Sequence, residues 1–313
     1  MKPLSSARPR LKLVAIVGPT ASGKTTLAAA LAKKFNSEIV SADSRQIYRG
    51  MDIGTAKPTK QERRAVPHHL IDIKNPDEHY TVAEYKADAI AAIKNILRRK
   101  KLPILVGGTG LYVRAVLDNL DIPKVSADPT LRAAIEGEIK KKGLAAVAKK
   151  LVALDPEAAD IVDLKNPRRV VRALEVALAT GKPFTAQRKM RPPLFDTLKI
   201  GLDPPPDELR KRINARVDRM MRAGLLTEVK HLLKKYSADC EALSAIGYRE
   251  LVNHLQGKIS LKDAVARIKI NTWRYAKRQL TWFGKDKDLH WIRQPREAIV
   301  SFKRHSGAVQ KVL

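Results

Sequence analysis

The stretch VAIVGPTASGKTTLAAALAKKF, Val14–Phe35, decides the fold. A β-branched run, "LKLVAIV", stops at Gly18, and an alanine-rich segment with an apolar helical face starts at Lys24. Between them "GPTASGKT" satisfies the spacing G-x-x-x-x-G-K-[ST] in the context that gives it meaning, after a strand and before a helix. Gly18 and Gly23 let the backbone curl so that successive N–H groups face phosphate oxygens. Gly18, Pro19, Thr20, Ala21, Ser22, Gly23, Lys24 and Thr25 are therefore expected to cradle a phosphate or diphosphate. The helix start adds its positive end, Lys24 a mobile cation, and Thr25 a hydroxyl suited to Mg²⁺. The owner of the phosphates stays open: a nucleotide to be hydrolysed, a phosphoryl donor, or a diphosphate that leaves from something else.

Working outward, "SEIVSADS" reads as a second strand with Asp43 at its carboxyl end, "HHLIDI" as a third, and "LPILVGG" as a buried fourth. "TVAEYKADAIAAIKNILRRKK" has the period of an amphipathic helix. The alternation predicts an α/β fold, a P-loop parallel sheet with ligands at the carboxyl edge of its strands. From residue 127 strand signals give way to helices, and "DTLKIGLD" returns to strand. The expected organisation is a first part of the core over 11–126 and a helical insertion over 127–192. Core completion with basic helices follows over 193–300, then a flexible tail over 301–313.

Lys and Arg number 61 against 32 Asp and Glu, a formal charge of +29, with a pI near 10.3. Such a charge attracts polyanions, nucleic acid first among them; a plain solubility surface is the other reading. One cysteine, Cys240, excludes an internal disulfide or a Cys-cluster zinc finger. No apolar run approaches a membrane span, and the basic start leads into too short an apolar run for a signal peptide. A cytoplasmic protein is expected. The adjacent histidines of "HHL" lack companions at metal-ligand spacing.

A hydrolase or motor with a phosphate loop needs an acidic residue after an apolar strand to hold the metal water. The best strand here, "PILVGG", ends in glycines, which leaves a kinase-like enzyme or a transferase with a diphosphate leaving group. Asp43 faces the same crevice as the phosphate loop, where a carboxylate serves as general base; a helix cap is its structural alternative. Ser44, Arg45 and Gln46 follow as donors for a base edge or as solvated loop residues.

The chain resembles the tRNA dimethylallyltransferase (tRNA isopentenyltransferase) family. The matching stretches are "GPTASGKT", "SADSRQIYRGMDIGTAKP", "PILVGGTGLY", "NPRRVVRALEV", "IGYREL" and "RYAKRQLTWF", in the family's order from about Leu13 to Trp291. The resemblance implies a P-loop kinase-like core with a helical insertion. The loop would hold the diphosphate of dimethylallyl diphosphate, with Mg²⁺ and without ATP turnover. The prenyl group would pass to the exocyclic amine of the adenine just 3′ of the anticodon (tRNA position 37), in tRNAs that read codons beginning with U. It also implies a compact bacterial-type form, because eukaryotic relatives carry a C-terminal zinc finger that this chain lacks.

The resemblance further implies Asp43 as the base, Thr109 beside the acceptor adenine, and an Arg on the leaving diphosphate. Arg212 and Arg216 are four apart and share a helix face; the family pattern raises Arg216. Arg168, Arg169 and Arg172, with Val170 and Val171 between them, open a helix of the insertion expected to touch the tRNA anticodon stem-loop, and Arg132 joins them. In "WRYAKRQLTWF" the aromatics read mostly as core, while Arg274, Lys277 and Arg278 face backbone phosphates. A monomer is expected. Three competitors remain. An adenylate isopentenyltransferase acting on free AMP, ADP or ATP has no use for the basic insertion. A small-molecule P-loop kinase would turn over ATP. A non-catalytic RNA-binding protein would not need Gly18, Gly23, Lys24, Thr25 and Asp43 intact.

Overall fold

The structure is a computed structural model and describes residues 11–122, 128–187, 191–293 and 298–299. Its elements in chain order begin β1 (Leu11–Val17), α1 (Lys24–Lys34), β2 (Glu38–Ala42), α2 (Lys60–Ala65) and β3 (His68–His69). Next come α3 (Val82–Arg98), β4 (Pro103–Gly107) and α4 (Gly110–Leu117). Four helices follow: α5 (Pro129–Lys142), α6 (Leu144–Leu154), α7 (Ala158–Ile161) and α8 (Pro167–Thr180). The chain then runs through β5 (Phe195–Leu202), α9 (Pro206–Arg222), α10 (Leu225–Leu233), α11 (Tyr248–Leu255), α12 (Leu261–Phe283) and β6 (His290–Ile292).

The six strands form one parallel sheet in the order β3-β2-β4-β1-β5-β6. Its strands are apolar on both faces because both faces are covered. Leu13, Ala15, Val17, Val40 and Leu105 pack with Tyr85, Ala89 and Ile93 of α3 and with Val113 of α4. The alternate residues Val14, Ile16, Ile39, Ile104 and Val106 pack with Leu27, Ala28 and Leu31 of α1. A capping box of Thr81 and Glu84 starts α3. In a further core, Ile47, Tyr48 and Met51 join residues of α9 to α12, among them Val217, Val229, Leu251 and Ile268.

Register sets the site. Val17 of β1 aligns with Gly107 of β4, and Gly107 aligns with Ala42 of β2. The chain therefore leaves three neighbouring strands at one level, as Gly18, Gly108 and Asp43, on the carboxyl edge where α/β sheets bind ligands.

The chain divides into two compact units, one made of the residues up to Leu117 and from Pro193, the other running Asp118–Pro192. The expected division between 126 and 127 and the tail over 301–313 lie outside the described residues. Within the second unit, α5, α6 and α8 enclose Ile135, Val147, Leu151 and Leu174. Val170 and Val171 belong to this core, 0% and 5% exposed. Their grouping with the RNA-facing residues is corrected: at helical spacing they fall on the buried side of α8, while Arg168 and Arg169 stay exposed. Arg132 and Arg172 each place a guanidinium nitrogen 2.9 Å from Glu175, whose carboxylate is fully buried. Burial alone would raise the Glu175 carboxyl; Arg172 and Arg132 together hold it below the ordinary value. Both arginines thus have a structural task that the sequence did not announce.

Glu38, buried at the start of β2, is gripped by Arg99 at 2.5 and 2.7 Å, by His69 at 2.8 Å and by Lys101 at 3.0 Å. Arg99 foremost, against the opposing effect of burial, holds its carboxyl at about 2. A depressed carboxyl stabilises the fold above its unfolded value, near 4.5, and loses that contribution as pH falls towards 2. Urea unfolding of the wild type should lose on the order of 1–3 kcal/mol from this group across that window. Glu38→Gln should be less stable at pH 7 and show a shallower acid slope; parallel slopes for the two proteins would remove Glu38 from the acid transition.

Candidate active site at the sheet edge

The phosphate loop runs from the end of β1 into α1. Gly18 has φ 145°, and a Cβ there would lie 2.9 Å from the Leu202 carbonyl oxygen of the neighbouring β5. Gly23 has φ 92°, the left-handed turn that aims the first amides of α1 inward. Lys24 Nζ donates to the Pro19 carbonyl at 3.1 Å. The Ser22 hydroxyl is buried without a partner.

One residue that sequence reasoning missed anchors this loop. Gln279 of α12, 5% exposed, accepts from the Thr20 N–H at 2.8 Å and donates to the Gly108 carbonyl at 2.8 Å. It ties the phosphate loop to the turn after β4. Three residues on from Gln279, the indole of Trp282 covers Gly110 so closely that a Cβ would lie 2.2 Å from Nε1.

Asp43 directs Oδ1 back into its own turn, accepting from the N–H groups of Arg45 at 2.9 Å and Gln46 at 3.4 Å. Among the described residues Oδ2 takes no hydrogen bond. The carboxylate does close a local turn, as a capping residue would, yet only through one oxygen. Thr109 sits alongside: its Oγ1 accepts from the Ser44 N–H at 3.0 Å and donates to Ser44 Oγ at 3.3 Å. Thr109 also hydrogen-bonds with Tyr275 of α12, whose phenol is pushed up to about 12, chiefly by burial and then by the Asp43 charge. Tyr275 was read as core; it lines the cavity instead. Gln46 braces the loop beyond: its amide donates to the Thr55 and Ala56 carbonyls and accepts from Ser41 Oγ. Arg45 donates to the Glu241 carbonyl at 3.1 Å.

Thr20, Lys24, Thr25, Asp43, Gln46 and Arg216 open onto this one cavity. Burial first, then the Arg216 charge, lowers Lys24 to about 8, with Asp43 pulling the other way. Burial likewise lowers Arg216, and Asp43 again opposes it. Two half-buried cations thus share the cavity with one carboxylate, a balance that favours a multiply charged anion. Arg212, one turn before Arg216 on α9, lies outside the cavity lining: it pairs with Glu208 at 2.5 Å and donates to the Ser22 carbonyl at 3.3 Å. Arg274, Lys277 and Arg278 are exposed, with Lys277 over the Trp273 ring and Arg278 over the Tyr275 ring, each at 5.8 Å. Among the described residues no three His, Cys, Asp or Glu side chains gather as a metal site. Thr25, whose hydroxyl has no protein partner among them, is the donor at hand for a cation brought in with the phosphates.

A phosphate cradle facing a carboxylate, on a sheet edge that carries no acidic strand end, defines a P-loop transferase more readily than a nucleotide hydrolase. The family model for IPP transferase matches residues 46–286, and the chain belongs to that family. It is 52% identical over 276 residues to the tRNA dimethylallyltransferase of Roseiflexus sp. (strain RS-1), covering 88% of this chain and 90% of that protein. To the protein of the same name from Bacillus subtilis (strain 168) it is 47% identical, covering 90% of each. Its fold matches the crystal structure of the full-length tRNA isopentenylpyrophosphate transferase from Bacillus halodurans with a TM-score of 0.70 and 42% identity, over 96% of this chain and 97% of that one. A eukaryotic dimethylallyltransferase acting on tRNA matches with a TM-score of 0.75 and 31% identity, over 90% of this chain and 74% of that one.

Removing the Gln279 amide leaves a buried N–H at Thr20 and a buried carbonyl at Gly108 unpaired, each costing about 1–3 kcal/mol. Gln279→Ala should lower the melting temperature and weaken diphosphate binding roughly tenfold. Calorimetric titration that finds undiminished diphosphate affinity would show that the loop keeps its shape without α12.

Proposed function

We propose that this chain transfers the dimethylallyl group of dimethylallyl diphosphate to the exocyclic amine of the adenine 3′ of the anticodon, in tRNAs that read U-initial codons, and releases diphosphate. The observation that carries the reading is the single cavity onto which Lys24, Thr25, Asp43 and Arg216 all open. The names of relatives matching along most of the chain favour tRNA over free adenylate as acceptor.

The adenine amine is a weak nucleophile because its lone pair is delocalised into the ring. As nitrogen bonds to the allylic carbon, the carbon–oxygen bond to diphosphate breaks and the electron pair leaves with oxygen. Asp43 Oδ2 accepts the proton the amine gives up; the turn that ties Oδ1 keeps the second oxygen aimed. Thr109, held by Ser44 and Tyr275, lies beside the amine and orients it. Loop N–H groups, Lys24 and Arg216 neutralise the charge that develops on the leaving group, and Arg212 steadies the loop through Ser22. Mg²⁺ held beside Thr25 supplies further neutralisation; a lone hydroxyl with no carboxylate cage suits a metal that keeps its waters and binds mainly to phosphate oxygens.

The acceptor base must leave its stack to enter the cavity, which costs a few kcal/mol. Ser44, Arg45 and Gln46 meet it at the mouth. Arg168, Arg169, Arg132 and Arg172 of the insertion and Arg274, Lys277 and Arg278 of α12 hold the anticodon stem-loop. The protein works as a cytoplasmic monomer. No helix among the described residues is long and apolar enough to cross a membrane.

Labelled dimethylallyl diphosphate, offered with Mg²⁺ and no ATP to tRNA and free AMP together, should mark only the tRNA; label in AMP alone would make the chain an adenylate prenyltransferase. Asp43→Ala should reduce kcat by about 10²–10⁴-fold while tRNA affinity changes by no more than about threefold. Parallel loss of tRNA binding would make Asp43 a recognition residue. Reversing charge at Arg168 and Arg169 should weaken tRNA binding and reduce its logarithmic salt slope by about two. An unchanged slope would take both residues off the RNA.

A further inference from the structure

The two histidines of "HHL" take no part in the reaction described above, yet they are not equivalent. His69 gives its Nε2 to the buried Glu38 carboxylate. His68 instead lines the catalytic cavity in company with Thr25, Ser41, Asp43 and Pro58. Its Nδ1 lies 2.7 Å from the Val66 carbonyl, which can only accept, so Nδ1 carries the ring proton. Nε2 is then a bare lone pair, and it is buried with no hydrogen-bond partner. Burial lowers the His68 pKa and keeps the ring neutral, although Val66 and Glu62 pull the other way.

A buried acceptor without a donor is unfavourable, and the chemistry of the cavity narrows what the donor can be. A diphosphate oxygen would set lone pair against lone pair. The allylic chain has no donor. Among the protein groups nearby, Ser41 Oγ donates to Gln46 and Lys24 Nζ to Pro19. Water bound to a divalent cation is different: its oxygen is taken by the metal and its protons are acidified, so it donates strongly. Mg²⁺ retains several such waters, and no carboxylate cluster among the described residues is available to replace them.

We propose that His68 Nε2 accepts a hydrogen bond from a water in the hydration shell of the Mg²⁺ that accompanies the diphosphate, which makes His68 a positioning residue for the hydrated metal. The inference rests on the reading of the phosphate loop given above. It assigns the metal an outer contact on β3, opposite the inner contact at Thr25.

The test is calorimetric titration of the full chain with inorganic diphosphate, in excess Mg²⁺ and in EDTA. The proteins are the wild type, His68→Phe, which removes the acceptor, and His68→Gln, whose carbonyl oxygen restores one. Diphosphate should bind the wild type more tightly with Mg²⁺ than without. His68→Phe should lose about tenfold of that affinity in Mg²⁺, nothing in EDTA, and His68→Gln should recover most of the loss. His68→Leu gives the same comparison if the phenyl ring does not fit. Equal losses with and without metal would overturn the proposal in favour of a plain cavity wall, and no loss would assign Nε2 to an isolated water. A wild type with no Mg²⁺ effect would overturn the metal reading of the phosphate loop itself, an outcome distinct from failure at His68.

Discussion

The close approach of β4 to β2 at Gly107 is the constraint on which the site depends. A Cβ at this position would lie 2.1 Å from the Ala42 carbonyl oxygen, so no side chain fits between the strands where the chain turns towards the ligand. Gly108 and Gly110 repeat the condition against α12: a Cβ would lie 2.1 Å from Gln279 Nε2 at the first and 2.2 Å from Trp282 Nε1 at the second. The run "GGTG" therefore admits a strand on one side and a helix on the other. Its one side chain, Thr109, faces Ser44 and Asp43. The missing acidic strand end has the same origin, because a carboxylate at Gly107 would occupy the space that lets Asp43 and the phosphate loop come level.

Helix α12 and the loop after β2 complete the enclosure from opposite sides. Along α12, Tyr275 reaches Thr109, Gln279 clamps the phosphate loop, and Trp282 covers Gly110, a spacing of four and three that keeps all three on one face. Across the cavity, the loop of Thr55 and Ala56 is held from below by Glu228 of α10. Its carboxylate accepts from the N–H groups of Asp52, Ile53 and Gly54 and from the Tyr248 hydroxyl. Lys57, buried between Asp52 and Asp72, fixes the other end. These buried charges are fully paired, which makes the wall rigid rather than simply stable.

Much of this was legible in the sequence, and the limits are physical. Strands β1, β2 and β4 announce themselves as short apolar runs, and the glycine spacing before α1 identifies the loop without any knowledge of the sheet. Asp43 is legible because a strand end in an α/β fold points at the ligand. Gln279, Tyr275 and His68 were not, because each acquires its role from a segment far away in sequence; helical periodicity says only that Gln279 faces inward, not that Thr20 waits there. Arg212 and Arg216 share a helix face, yet Glu208, one turn earlier, captures the first and leaves the second to the cavity. Val170 and Val171 stand between arginines in sequence and beneath them in space, a distinction that requires the packing of α5 and α6.

The excess of positive charge reaches the site in concentrated form. Acidic side chains inside the protein, Glu38, Glu175 and Asp72, are each matched by two or more cations. In the cavity the proportion inverts, and Lys24 and Arg216 face only Asp43. Burial weakens the hold of both cations on their protons, so an arriving anion gains more here than on the surface, where water screens the interaction. The anion also relieves Asp43 of its role as sole counter-charge. With Oδ1 tied to its own turn and the cations satisfied by phosphate oxygens, Oδ2 is left to the acceptor alone, and the fold thereby separates the group that leaves from the group that takes the proton.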